Sequence, residues 1–277
     1  MDHSNPPAAI KRLGQNFLID PNIVRKIISV ATLAPNDSVL EIGPGRGILT
    51  AALCQEACHV TAIEVDPRLH SYVSAQLADR PNLHLVLGDA MLYPIERLPL
   101  GTVVVANLPY YISTPLLFRL LEQRNRFPRM VLMLQEEVAD RLVAQPHTPG
   151  YGLLSVMAQY AADITKAFKV SPNCFRPRPD VSSAVTLLRT KEGRELAYEE
   201  ERTFAALVKG AFAHRRKTLV NSLKDEGYSP QTVLEALRHL ALSPNARAET
   251  LSVTNFIALT RFIRACYPLK ESESANP

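Results

Sequence analysis

The stretch SVLEIGPGRGILTAALCQEA, residues 38–57, decides the fold. Residues 38–43 form an apolar run ending on glycine and read as a buried strand. Residues 46–57 read as a helix. Between them Gly43, Gly45 and Gly47 permit a sharp turn and a close approach of backbone to a ligand. The spacing is G-x-G-x-G, not the G-x-G-x-x-G of dinucleotide-binding turns, so the turn alone does not choose a ligand. Strand, glycine turn and helix, in that order, open a unit whose next strand lies parallel to the first.

The pattern repeats outward. Residues 59–66 read as a strand and 67–78 as a helix; 83–90 and 102–107 read as two more strands. Ser113 or Thr114 with Pro115 opens a helix to about Glu122, followed by a strand over 129–135 and a helix over 136–144. Upstream, Asp20 reads as an N-cap with Pro21 at the first helical position, predicting a helix to about Ala34. Such alternation implies right-handed crossovers and a mainly parallel sheet covered on both faces. Strands predicted over 163–171 and 181–189 are joined only by PNCFRPRPD, too short for a crossover helix, so they pair antiparallel.

The expected fold is therefore α/β, a mostly parallel seven-stranded sheet with a terminal antiparallel hairpin. From about residue 191 no strand pattern remains, and helical patterns near 202–213, 216–225, 230–240 and 253–266 predict a small all-α C-terminal domain. The domains expected are 1–190 and 191–277. The closing KESESANP has the composition of a disordered tail.

The 277 residues, 47% hydrophobic, suffice for a sizeable core. Cys54, Cys58, Cys174 and Cys266 form no C-x-x-C pair and no His-spaced cluster. Cys54 and Cys58, four apart on one predicted helix, read as small buried residues, so no metal is expected and a reducing compartment fits. The N-terminus lacks the charged-then-apolar pattern of a secretory signal, and no apolar run reaches bilayer length, so no membrane role is expected. A net charge of +4 is compatible with a polyanionic partner without requiring one.

Candidate functional residues fall at strand ends. Glu64, twenty-one positions after Gly43, ends the second strand of the unit, where a carboxylate can accept both hydroxyls of a ribose. Asp89 ends the third strand and Asn107 the fourth. Together they outline a crevice at the carboxyl edge of an open sheet. No P-loop lysine, metal cluster or nucleophile elbow accompanies them.

Asn107 opens NLPY (107–110). On its own the tetrapeptide is an ordinary turn. In the crevice it can also hold an adenine amine, whose nitrogen is a poor nucleophile because its lone pair is delocalised into the ring. The Asn107 carboxamide oxygen and the Leu108 carbonyl can accept its two hydrogens and draw the nitrogen toward tetrahedral geometry. Pro109 biases Leu108 toward an extended backbone. Tyr110 offers a face on which an unpaired or flipped base can stack, so Tyr110→Phe is expected to be mild and Tyr110→Ala costlier, whereas a role for the hydroxyl would make Tyr110→Phe nearly as damaging.

NLPY after EIGPGRG resembles S-adenosylmethionine-dependent methyltransferases of exocyclic amines. With LGQNFLID (13–20), NLPYYIS (107–113) and FRPRPDVSSAV (175–185), nearly the whole chain after the first ten residues resembles the ribosomal RNA adenine dimethyltransferase family. The resemblance implies a Rossmann-like methyltransferase fold and dimethylation at N6 of two adjacent adenosines near the 3′ end of small-subunit rRNA, with a place in small-subunit biogenesis. It implies S-adenosylmethionine as cofactor, closed over by Asn16 and Leu18. Gly43 and Gly45 line its methionine end, Glu64 binds the ribose, Asp89 the adenine, and Asn107 sits between donor and target. Phe175 is implied as a second stacking ring; without the family it reads as a loop aromatic covering an edge. The basic cluster Arg215, Arg216 and Lys217 fits rRNA or an immature small subunit as partner, though such a run is equally a solvated helix start. A cytoplasmic monomer is expected. The rivals are a large-subunit adenine methyltransferase of the resistance type, an amine methyltransferase with another substrate, and a nucleic-acid-binding assembly factor on this scaffold.

Overall fold

The computed structural model describes residues 5–10, 13–214 and 216–266. Arg215 of the predicted basic cluster and the predicted disordered tail lie outside the described residues. In chain order the elements are β1 (Phe17–Leu18), α1 (Pro21–Ala31), β2 (Ser38–Ile42), α2 (Ile48–Glu56), β3 (His59–Glu64), α3 (Pro67–Gln76), β4 (Leu83–Leu87), β5 (Val103–Asn107), α4 (Ser113–Glu122), β6 (Arg129–Gln135), α5 (Glu136–Val143), α6 (Leu153–Ala161), β7 (Ala162–Val170), β8 (Phe175–Arg176) and β9 (Ser183–Thr190). The helices α7 (Tyr198–Phe212), α8 (Leu219–Asp225), α9 (Pro230–His239) and α10 (Val253–Cys266) follow.

Local chemistry explains the boundaries. The Asp20 carboxylate caps α1 by accepting from the Asn22 amide, and Asp66 caps α3 by accepting from the Arg68 amide. The first helix stops at Ala31, short of the predicted Ala34, because Thr32 turns left-handed at φ 46°. Since α2 ends at Glu56, Cys58 falls after the helix and is exposed, so of the two only Cys54 is the small buried residue expected.

The seven-stranded sheet has the order β4-β3-β2-β5-β6-β9-β7. Only β9 runs against the others: it is antiparallel to both β6 and β7. The expected terminal hairpin is present, with its second strand inserted between β6 and β7. The chain winds from β2 to β3 and β4 on one side, then returns to β5 and β6 on the other. The switch point lies between β2 and β5. There the ladder pairs only Val39↔Val103 and Leu40↔Val104, whereas β2 and β3 pair over five residues. The sheet therefore opens at its carboxyl edge. Not foreseen is a two-stranded antiparallel sheet, in which Phe17 and Leu18 of β1 pair with Arg176 and Phe175 of β8.

Two compact units emerge: residues 1–140 with 161–192, and 141–160 with 193–277. The first contains the sheet. Its core includes Val39, Leu53, Val60, Val103, Val131 and Val185. The second has its own core, including Tyr151, Val156, Phe204, Leu223, Leu237 and Phe256. The helical unit thus begins earlier than the expected residue 191, taking in α6, which the sequence reading left unassigned. Tyr151 and Val156 pack in its core, and the Tyr151 hydroxyl donates to the Leu251 carbonyl at 2.7 Å.

Candidate active site

One cleft of about 920 Å³, counting the part open to solvent, occupies the switch point. Its lining includes Asn16, Leu18, Gly43, Gly45, Glu64, Asp89, Asn107, Leu108 and Tyr110, so nine expected site residues share one wall system.

The glycine turn forms its floor. Gly43, Gly45 and Gly47 all have positive φ, 71°, 59° and 82°, which side chains disfavour. The Gly43 amide donates to the Ile63 carbonyl, tying the turn to β3. Gly45 has a second reason to lack a side chain: a Cβ there would sit 3.1 Å from the Phe17 ring. Above Phe17 lies the Arg46 guanidinium, 4.5 Å from the ring centroid, which also donates to the Pro7 carbonyl.

Glu64 is buried at the end of β3. Its Oε1 accepts from the Asp66 amide at 2.9 Å and its Oε2 from the Gly45 amide at 3.2 Å. Each oxygen keeps a second lone pair for a ligand hydroxyl. Burial raises its pKa, against the lowering effect of the two amides. Asp89 is exposed, and its Oδ1 accepts from the Met91 amide at 2.8 Å, shaping the turn after β4.

A third acid, Glu41 of β2, went unrecognised in the sequence. It is 1% exposed, lines the cleft, and its Oε2 has no hydrogen-bond partner among the described residues. Burial pushes its pKa up to about 8; the Thr50 hydroxyl opposes the shift and the nearby Glu64 charge adds to it. The available signal was a lone acid inside SVLEI, an apolar strand reading as buried on both faces.

NLPY closes the far wall. Asn107 still belongs to the β5–β6 ladder, opposite Met133, and Leu108 donates to the Met133 carbonyl at 3.1 Å. The Asn107 Nδ2 donates to the Asn16 carbonyl at 3.4 Å, which orients the carboxamide. Tyr110 begins a 3-10 turn, half-buried, and its hydroxyl shares a 2.6 Å hydrogen bond with the Ser183 hydroxyl. That bond ties the ring to β9.

The N-terminal segments border the cleft. Gln15 accepts from the Ile10 amide at 2.7 Å and donates to Asp66 at 3.1 Å. Asp66 is also held by Arg68 at 2.7 Å, and that guanidinium keeps its carboxyl down at about 2.

Phe175 requires a correction. It is 0% exposed, pairs with Leu18, packs in the sheet core and is absent from the cleft lining. Alternation along β8 turns Phe175 inward and Arg176 outward, so the expected stacking ring is a core residue here. Arg216 and Lys217 are exposed in the turn before α8, not on the helix start, and Lys217 is paired with Asp225 at 2.6 Å.

A seven-stranded order with its last strand inserted antiparallel, and a cleft at the β2–β5 switch point, define a Rossmann-like methyltransferase. Residues 8–265 match the family model described as ribosomal RNA adenine dimethylase, and the chain belongs to that family. It is 42% identical to the Ribosomal RNA small subunit methyltransferase A of Geobacter metallireducens, over 93% of this chain and 96% of the relative. Among solved structures it resembles a dimethyladenosine transferase from Plasmodium falciparum, with TM-score 0.77 and 30% identity over 88% of this chain and 95% of that one. It also resembles the 23S rRNA methyltransferase ErmE, with TM-score 0.70 and 28% identity over 89% and 99%.

Proposed function

We propose that the protein dimethylates N6 of adenosines in small-subunit rRNA, two adjacent ones near the 3′ end, using S-adenosylmethionine. The observation that carries this is the presence of Asn107, Leu108 and Tyr110 on the same cleft as the glycine turn and Glu64. Membership of the adenine dimethylase family names the base. Identity to small-subunit enzymes exceeds that to the 23S enzyme, which favours the small subunit over the large.

The cleft suits the cofactor. S-adenosylmethionine supplies an electrophilic methyl group on a cationic sulfur and also carries an ammonium. The orphaned Glu41 Oε2 is a buried acceptor suited to cationic groups, and the side-chain-free turn at Gly43 and Gly45 admits close backbone approach. Glu64 holds the ribose hydroxyls and Asp89 the adenine amine. Asn16 and Leu18 close the near side.

On the target side, the Tyr110 face receives the flipped base. The Asn107 carboxamide oxygen and Leu108 carbonyl hold the amine hydrogens while the nitrogen becomes tetrahedral and its lone pair turns toward the methyl group. Phe175 takes no part in this arrangement. In the helical unit, Arg216 and Lys217, with Arg215 beside them in sequence, supply phosphate contacts that position RNA without reading bases. Lys217 must exchange Asp225 for phosphate, a small cost for an exposed pair. The protein works as a cytoplasmic monomer on the immature small subunit.

Mapping dimethyladenosine in both rRNAs, with and without the protein, tests the substrate. Loss from small-subunit rRNA alone, restored by incubating immature subunits with protein and labelled donor, is the expected result. Loss from large-subunit rRNA would transfer the chain to the resistance-type reading.

A further inference from the structure

Tyr110 and Ser183 are 73 residues apart in sequence and on different elements, yet their hydroxyls are 2.6 Å apart. Ser183 opens β9 and is 0% exposed. Its backbone is paired on both sides, with Gln135 of β6 and Val170 of β7, and the preceding Ser182 carbonyl accepts from the Glu136 amide at 2.9 Å. Its hydroxyl is thus mounted on a fixed interior strand. Tyr110 stands on a three-residue 3-10 turn beyond β5, a less regular support, tied locally by the Ser113 hydroxyl donating to its carbonyl at 3.2 Å. Because β6 lies between β5 and β9, the shared bond reaches across the end of β6.

We infer that Ser183 is a positioning residue for the methyl transfer. Its hydroxyl fixes where the long axis of the Tyr110 ring points, and hence where the base lying on it sits. The anchor acts at the far end of the ring, where it restrains swing of the ring about the Cα–Cβ bond. Such restraint sets the approach of the amine to the methyl carbon, and small misplacements at a reacting centre are costly in rate. This inference rests on the reading of Tyr110 as the base-holding ring.

The test is a cycle of four proteins: wild type, Tyr110→Phe, Ser183→Ala and the double variant. Each is measured for urea unfolding, S-adenosylmethionine affinity, and single-turnover methylation of immature small subunits at saturating donor and RNA. Each single variant orphans one hydroxyl and loses stability; removing both recovers much of it. Turnover should fall about tenfold in each single variant and stay about tenfold down in the double, with donor affinity unchanged throughout. A purely structural bond gives the opposite result: turnover returns to wild type along with stability in the double variant. Should a single variant fail to fold, the double still decides. Tyr110→Ala, run in parallel, separates the two layers. Wild-type turnover by Tyr110→Ala would remove Tyr110 as the base holder. Slow turnover by Tyr110→Ala beside wild-type turnover by Ser183→Ala would overturn the anchor alone.

Discussion

Glu41 is the residue whose chemistry departs most from its surroundings. An acid in the middle of an apolar strand, with one oxygen unpartnered, stays protonated into neutral pH because burial disfavours its charge. The consequence for stability has a definite sign. Unfolded, the carboxyl titrates near 4.3; folded, near 8, so folding takes up a proton between these values. Stability associated with this group is therefore full below about pH 4.3 and is lost as pH rises toward 8. Glu41→Gln removes that loss. Urea unfolding of the donor-free protein at pH 5 and pH 8 should show a smaller drop in the variant than in the wild type, by on the order of a few kcal/mol. Equal drops would mean that Glu41 is charged in the folded protein at pH 5. Asp66 behaves oppositely: Arg68 keeps it charged, so its contribution is lost only as pH falls from about 4 toward 2.

At the scale of elements, the N-terminal segment is held to the catalytic unit by single side chains. Gln15 joins the Ile10 amide to the Asp66 carboxylate, and Arg46 and Arg68 donate to the carbonyls of Pro7 and Ala8. Gln15→Ala should weaken donor binding by about 1 kcal/mol, near fivefold, through loss of the charge-assisted bond to Asp66. Calorimetry should show this with little change in single-turnover rate at saturating donor. Unchanged affinity would make the segment a bystander to donor binding. The sequence announced the larger elements well, because period, caps and glycines are local signals. Asp20–Pro21 and Asp66–Pro67 started helices, and the short PNCFRPRPD loop forced an antiparallel hairpin. What it concealed was non-local. The pairing of β1 with β8 joins residues about 158 positions apart and leaves no periodic trace in two-residue strands. The same pairing decides the fate of Phe175, a loop aromatic in sequence and a core residue in the fold. In the site, strand-end residues were legible because a parallel sheet brings its carboxyl ends together, whereas Ser183 became visible only once β9 had a neighbour.

At the scale of the whole molecule, the proposed tasks fall on two units with separate cores. The sheet unit carries every residue assigned to donor and base, and the helical unit carries the basic turn assigned to phosphate. The boundary read from composition missed α6, whose LLSVMAQYA is apolar without a clear stripe, as befits a helix largely buried in the second unit. Among the described residues no helix is long and apolar enough to cross a membrane. The proposed chemistry rests on NLPY acting as a holder for an amine, with Asn107 proposed to engage most strongly as the nitrogen becomes tetrahedral. Single-turnover methylation of immature small subunits by Asn107→Ala, at saturating S-adenosylmethionine and RNA, tests this most directly. A fall in rate on the order of 10²–10³, as for loss of one preorganised polar group, is the predicted result. Turnover close to wild type under those conditions would contradict it and leave NLPY a turn at the end of a strand.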